Sequence, residues 1–390
     1  MAQLVVRWKD GAAGHLPLLQ TLRPDVVVSD TAVPDFEKAG LKVVPSAALG
    51  RVVTDGLWPG IRRGPSRRGR EVEVASASSE PWVDANGYLV AYHRALDAKT
   101  PVLLAYEANE KAGVKPDVEI PYGTSELALI EARVGGGNFV VDLPVRYRSG
   151  LIAGEAKATE AWKSLARTAA WLKQNEALFG RPALAQLMAM VEPGGATREI
   201  ANLLHRRGAS PLLCGALPGN AKPLALVVAG LKQIPVECFK VAEEGGIVVT
   251  DQKALPGTTL IREETDRVFC RLGNGTVVAY RKPIVDPSEF AMDVIDLITH
   301  RRRATRLWNA LSAIPLATDG DRPGEALLHV VNYGSPAREE IQAHIQGHFS
   351  KATLLSPEKA PVVLKTVRRG PSTEVFLPTL ERVAVVRFSN

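Results

Sequence analysis

Three carboxylates each follow or end a short β-branched run, the setting in which a strand presents an acid group at its end. They are Asp30 after Val26-Val27-Val28, Glu107 after Val102-Leu-Leu-Ala-Tyr106, and Asp142 within Phe139-Val-Val-Asp-Leu143. Two carboxyl groups facing each other can divide acid and base work, one holding a proton and the other ionised, when their surroundings differ. Glu107 is the candidate acid, because a neighbour such as Tyr106 can desolvate a carboxyl and raise its pKa. Asp142 and Asp30 are the candidates for its partner. A plainer role is open to each: a carboxylate at a strand end also caps the next helix or pairs with an arginine, and Arg146 and Arg148 follow Asp142 closely.

The stretch Pro81-Trp-Val-Asp-Ala-Asn-Gly-Tyr88 combines a ring with amide and carboxylate groups. Trp82 could stack on the apolar face of a sugar while Asp84 and Asn86 bond its hydroxyls. The same residues could open a helix, with Asp84 as N-cap and Trp82 packed back as a staple. Trp8, Tyr106 and Asn109 complete the set of strand-end residues that could touch a substrate. The arginine-rich stretch 61–70 could hold an acidic sugar or phosphate, or form a solvated face. The seven histidines are scattered, and His344 and His348, four apart, sit among strand and turn signals. Gly135-Gly-Gly137 follows a helical pattern instead of opening one, so it is a helix end and not a phosphate cradle. No metal site and no cofactor are expected.

These residues depend on the elements that carry them. From Leu4 to Gly180, β-branched runs (4–8, 26–30, 41–46, 71–77, 102–107 and 138–143) alternate with helical patterns (16–22, 33–39, 86–96 and 125–134). Runs such as Val26-Val27-Val28 lack polar alternation, as parallel strands covered on both faces do. Repeated βα units predict a parallel sheet, and six strands make a reduced or distorted (β/α) barrel. The stretch 150–179 predicts one long helix, with Trp162, Leu165, Ala169 and Leu172 on one face and Gly180-Arg-Pro182 as its stop. From 183 the βα alternation restarts as a small doubly wound sheet, with Thr197 the candidate cap of a helix over 198–207. A hairpin signal at 267–281 and a helix over 288–300 follow. From 326 short strands separated by turns predict a β-sandwich. The expected division is 1–181, 182–260 (to about 310 on the longer reading) and 311–390.

The chain has 390 residues, 46% hydrophobic and 23% charged, an ordinary globular composition. Forty-eight Lys and Arg against 42 Asp and Glu give a net charge of +6, too mild an excess to predict nucleic-acid binding. Apolar runs such as Leu224–Gly230 are too short for a membrane helix. Cys214, Cys238 and Cys270 form no closed disulfide set and read as small core residues. The chain as written reads as cytoplasmic, or as secreted or periplasmic where a leader has been removed. Assembly into a homo-oligomer is left open.

A parallel βα unit, a small second α/β unit and a terminal sandwich, in that order, resemble bacterial glycoside hydrolases related to certain beta-galactosidases. Those combine a (β/α) barrel, a class I glutamine amidotransferase-like domain and a short sandwich. Ser125–Asp142 is similar to their late-barrel helix, ending in Gly-Gly-Asn before a strand. Leu184–Asp251, with its ending Glu243-Glu-Gly-Gly-Ile-Val-Val-Thr-Asp251, is similar to their amidotransferase-like unit. Ala326–Asn390, with Leu328-His-Val-Val-Asn-Tyr333 and Ala352-Thr-Leu-Leu-Ser-Pro357, resembles their sandwich. The resemblance implies action on glycosidic bonds of oligosaccharides through a carboxyl pair drawn from Glu107, Asp142 and Asp30. About 5 Å between the two carboxyls gives retention and roughly 6.5–9.5 Å gives inversion. Asn109-Glu110 echoes the Asn-Glu pair of those enzymes' acid/base site. Two departures stand out: the barrel portion is short, and Cys214 in Leu-Leu-Cys-Gly-Ala lacks the Gly-x-Cys-x-Gly elbow of an amidotransferase nucleophile. The alternative is a non-catalytic carbohydrate-binding or scaffold protein with the same architecture.

Overall fold

The computed structural model describes residues 4–8, 15–49, 51–61, 84–107, 114, 119–252, 257–282, 284, 286–298, 302–310, 312–334 and 338–390. Trp82, Asn109, most of the arginine-rich stretch and the strand expected over 71–77 lie outside these residues.

The first sheet is built from β1 (Val5–Arg7), β2 (Val26–Val28), β3 (Val43–Val44), β4 (Val52–Val53), β5 (Leu103–Leu104) and β6 (Asn138–Asp142). Between and after them come α1 (Leu16–Leu22), α2 (Pro34–Lys38), α3 (Gly87–Leu96), α4 (Thr124–Val134), α5 (Val145–Ile152) and α6 (Ala156–Gln174). The strands pair in parallel in the order β3-β2-β1-β6-β5-β4. The first strand thus lies against the last, as in a barrel, while β3 and β4 end the sheet on either side and leave a curled half-barrel. Side-chain parity separates the two faces of the sheet. Val5, Val26, Val28, Val140 and Ala105 meet one another in a small inner core. The alternate residues, Val6, Val27, Val141, Leu104 and Phe139, pack outward in the large core shared with the helices.

The strand at 52–53 was not expected, since two residues carry no readable period. The long helix expected over 150–179 is two helices, α5 and α6, parted at Gly154, whose φ of +70° suits glycine. The four-residue face of α6 is as expected: Trp162, Leu165, Ala169 and Leu172 are buried.

The second sheet contains β7 (Leu187–Met190), β8 (Leu212–Cys214), β9 (Ala225–Val227), β10 (Ile247–Thr250), β11 (Thr259–Glu263), β12 (Arg267–Leu272) and β13 (Gly275–Tyr280). Its helices are α7 (Ala196–Arg206), the short α8 (Lys240–Glu243) and α9 (Pro287–Ile298). Five strands run parallel in the order β8-β7-β9-β10-β13, the doubly wound pattern in which the order reverses beside the first strand. The hairpin β12–β13 joins this sheet through β13 and carries β11 at its edge. Gly195, not Thr197, is the N-cap of α7. Thr197 is buried at the second position of the helix, and its hydroxyl donates to the Glu192 carbonyl.

Two antiparallel sheets follow. The first has the order β14 (Thr305–Trp308), β17 (Arg338–Gln346), β21 (Ser372–Leu380), β20 (Val367–Arg369). The second has the order β15 (Ala313–Asp319), β16 (Ala326–Asn332), β22 (Val383–Ser389), β18 (Lys351–Leu355), β19 (Val362–Leu364). Between them lies a core that includes Leu328, Val330, Ile341, Val375, Val386 and Phe388. The opposite faces of β16 and β22 present Leu327, Val331, Val383 and Val385 to the large core of the rest of the molecule. Both strands are therefore apolar on both sides. Among the described residues no helix is long and apolar enough to cross a membrane.

Candidate functional site

At the carboxyl ends of the first sheet, Arg7 and Asp142 are register partners of the same parity as the inner core. Arg7 Nη1 lies 3.6 Å from Asp142 Oδ2, and Asp142 is 8% exposed. Asp30, exposed beyond β2, accepts hydrogen bonds from the Ser46 amide and hydroxyl, both at 2.7 Å. Those two donors hold its carboxyl below the ordinary range, so it is ionised. Asp142 and Asp30 thus share a neighbourhood around Arg7, each with its own partner. Glu107 is exposed at the end of β5, and its backbone carbonyl receives the Trp58 indole N–H at 2.9 Å. Tyr106 turns the other way. It is 2% exposed, in the outward parity, edge-on to Trp58 and tilted against Phe139. Trp8, also 2% exposed, donates its indole N–H to His15.

Asp84 and Asn86 sit elsewhere, on the approach to α3, where they line a polar cleft of about 500 Å³. Asp55 and Leu57, just past β4, form one wall, and the polar face of α7 (Arg198, Glu199, Asn202 and Arg206) forms the other. Arg198, Asn202 and Arg206 are four residues apart and therefore share a face. The apolar face of the same helix, Ile200, Leu203 and Leu204, is buried in the large core. Asn86 is fixed by the Leu57 amide donating to its Oδ1 at 2.8 Å and by its own Nδ2 donating to the Leu57 carbonyl at 2.6 Å.

Charges in the cleft come in pairs. Asp84 lies 3.5 Å from Arg206, both nearly buried, and Arg198 pairs with Asp55. Arg206 Nε donates to Asn202 at 2.7 Å, and Asn202 Nδ2 donates to Glu199 at 3.1 Å. Arg198 donates a hydrogen bond to the Tyr88 hydroxyl, and burial raises the phenol pKa, so the hydroxyl stays neutral. The result is a row of fixed donors and acceptors beside an aromatic ring. Such a surface suits a neutral polyhydroxylated ligand.

Behind the cleft stands Glu131 on α4, fully enclosed. Its carboxylate accepts from the Asn86 amide and Nδ2, both at 2.7 Å, from Tyr333 Oη at 3.1 Å and from Tyr106 Oη at 3.3 Å. Burial nevertheless pushes its pKa up to about 7, against the pull of those donors. The carboxyl beside the cleft with a raised pKa is therefore Glu131, engaged by its own donors. Two signals in the sequence pointed this way without being read: an acid four residues after Leu127 in an apolar helix, and the four-residue spacing of 198, 202 and 206. Among the described residues no group of His, Cys, Asp and Glu side chains could hold a metal ion.

No family model matches the sequence, and no curated relative matches it. Among solved structures, alpha-L-fucosidase isoenzyme 2 from Paenibacillus thiaminolyticus superposes with a TM-score of 0.51 at 9% identity, covering 100% of both chains. The fold is similar to that of a glycoside hydrolase. A GH42 beta-galactosidase from G. stearothermophilus, Gan42B, has a TM-score of 0.46 at 11% identity, and the match covers 96% of this chain and 61% of that one. A rhamnosidase from Novosphingobium sp. PP1Y has a TM-score of 0.46 at 12% identity, over 81% of this chain and 34% of that one.

Proposed function

We propose that this is a glycosidase-like protein that binds oligosaccharide in the cleft between β4, the start of α3 and α7, and that it does so without hydrolysing it. The observation that carries this reading is the engagement of the carboxylates. Asp84 is paired with Arg206, Asp55 with Arg198 and Asp142 with Arg7, while Asp30 is held by Ser46. Glycoside hydrolysis needs one carboxyl that keeps a proton for the leaving oxygen. Glu131, whose pKa suits that task, does not line the cleft and is engaged by Asn86, Tyr106 and Tyr333.

The exposure of Glu107 at the end of β5 favours a second reading, hydrolysis with Glu107 as acid and Asp142 or Asp30 as its partner. The doubly wound strand order supports an amidotransferase-like origin for the second sheet. Burial pushes the Cys214 thiol up to about 11, however, which disfavours the thiolate a nucleophile needs.

A panel of oligosaccharides and aryl glycosides tests both readings, with binding followed by calorimetry and turnover by release of the aryl group. We expect binding without turnover, weakened about tenfold or more by Arg198→Ala, which removes a partly exposed donor from the cleft. Failure of every saccharide to bind, or binding indifferent to Arg198→Ala, would remove the cleft from consideration. Turnover that disappears in Glu107→Gln would instead establish the hydrolase.

A further inference from the structure

A second cavity, of about 260 Å³, lies on the other side of α3, where the first sheet's helices, the second sheet and the sandwich meet. Its walls are mostly apolar, with Ala91, Ala201, Leu213, Ile314 and Val331 among them. An apolar cavity of about 150 Å³ stays dry and accepts a benzene ring, so this one has room for a ring and a short arm. Ala98 and Pro182, both exposed, stand at its rim and leave a way in.

Two polar groups in it are unfinished. Arg94 is half-buried and donates Nη1 to the Gly135 and Gly180 carbonyls, both at 3.0 Å. It has no carboxylate partner among the described residues. His205, 8% exposed, lies with Nε2 against Gly87, where a Cβ would come within 2.7 Å of that atom. Nε2 is buried and makes no hydrogen bond. Burial also drives the imidazole pKa down to about 4, so the ring is neutral and can donate or accept one hydrogen bond at that nitrogen. Gly87 and Arg94 are seven residues apart on α3, about 10 Å along the helix. Glu131 also lines the cavity, its carboxyl already bonded to the Asn86 amide and the Tyr333 hydroxyl.

We propose that this cavity is a binding site for a small phenolic carboxylic acid, with its carboxylate on Arg94, its ring between the apolar walls and its hydroxyl on His205 Nε2. A half-buried guanidinium without a carboxylate and a buried imidazole nitrogen without a hydrogen bond, separated by an apolar gap, define a ligand with an acid at one end and a hydroxyl at the other. The site is independent of the saccharide cleft. It shares only Tyr88 with it.

The probe is 3-(4-hydroxyphenyl)propionate, compared with 3-phenylpropionate and with the methyl ester of the hydroxylated acid, by calorimetry on the full chain. We expect the hydroxylated acid to bind with a Kd of about 1 mM or tighter, and each of the other two about tenfold more weakly. Ala91→Phe, which fills the cavity from a half-buried helix position, abolishes binding. In His205→Phe the hydroxylated and plain acids bind equally. Arg94→Met weakens both acids and leaves the ester unchanged. No binding by the wild type, equal binding of all three compounds, or binding that survives Ala91→Phe would each overturn the proposal.

Discussion

Glu131 shows how a single side chain can tie the molecule together and set its response to pH. Its pKa of about 7 in the folded chain lies above the ordinary carboxyl value of 4.5. Folding therefore favours the protonated form. The contribution of this group is complete below pH 4.5 and is lost as pH rises through 7, by about 3 kcal/mol in all. His205 and His329 act in the opposite sense. Both are enclosed with pKa values near 4, so their neutral forms stabilise the fold above about 6.5 and that contribution fades as pH falls. The net profile is a sum, and the Glu131 part is isolated by difference. Denaturant unfolding of the wild type and of Glu131→Gln from pH 5 to pH 8 should show the wild type losing more stability across that interval. Parallel profiles would mean that Glu131 does not titrate in the folded protein near neutral pH.

At the scale of elements, Gly136 limits how α4 can turn into β6. Its φ is +85°, and a Cβ there would meet the Gly180 Cα at 2.6 Å and Arg94 Nη1 at 2.0 Å. Gly136→Ala combines left-handed backbone strain with a backbone clash, so we expect a loss of at least about 2 kcal/mol in denaturant unfolding. A loss under about 0.5 kcal/mol would show that the α4–β6 turn can move aside. This turn was legible in the sequence as a helix end feeding a strand, as was α1 to the residue, because glycine runs and helical apolar spacing are local signals. The hairpin over 267–281 was legible for the same reason. Strands of two residues, such as β4, carry no period, and their existence depends on the neighbours they pair with. The site was harder to read. Asp84 and Asn86 belong to the cleft, but Arg198, Asn202 and Arg206 on its other wall come from a helix more than a hundred residues on, packed there by the apolar face of α7. Tyr106 looked like a strand-end binding residue. Strand parity sends it outward to Glu131 instead.

Across the whole molecule, three sheets share one continuous core. Leu4, Val6 and Val141 of the first unit, Leu187, Val227 and Val278 of the second, and Leu327, Val331 and Val383 of the sandwich belong to the same buried cluster. Polar links cross the same boundaries. Tyr333 reaches Glu131, Tyr92 donates to the Glu192 carbonyl, and the Leu184 amide donates to the Ala317 carbonyl. Gly60 fits between Leu127 and the Tyr333 carbonyl, where a side chain would have no room. Removing one unit would expose apolar faces of the other two, and β16 and β22, buried on both sides, would lose one face outright. Sequence texture suggested separable parts, because the strands of each unit cluster along the chain. Packing makes them interdependent. Scanning calorimetry should therefore give a single transition with equal calorimetric and van't Hoff enthalpies, and Tyr333→Phe should lower its midpoint without splitting it. Two or more resolved transitions, with the sandwich melting apart from the parallel sheets, would mean that the shared core is a contact between independent domains.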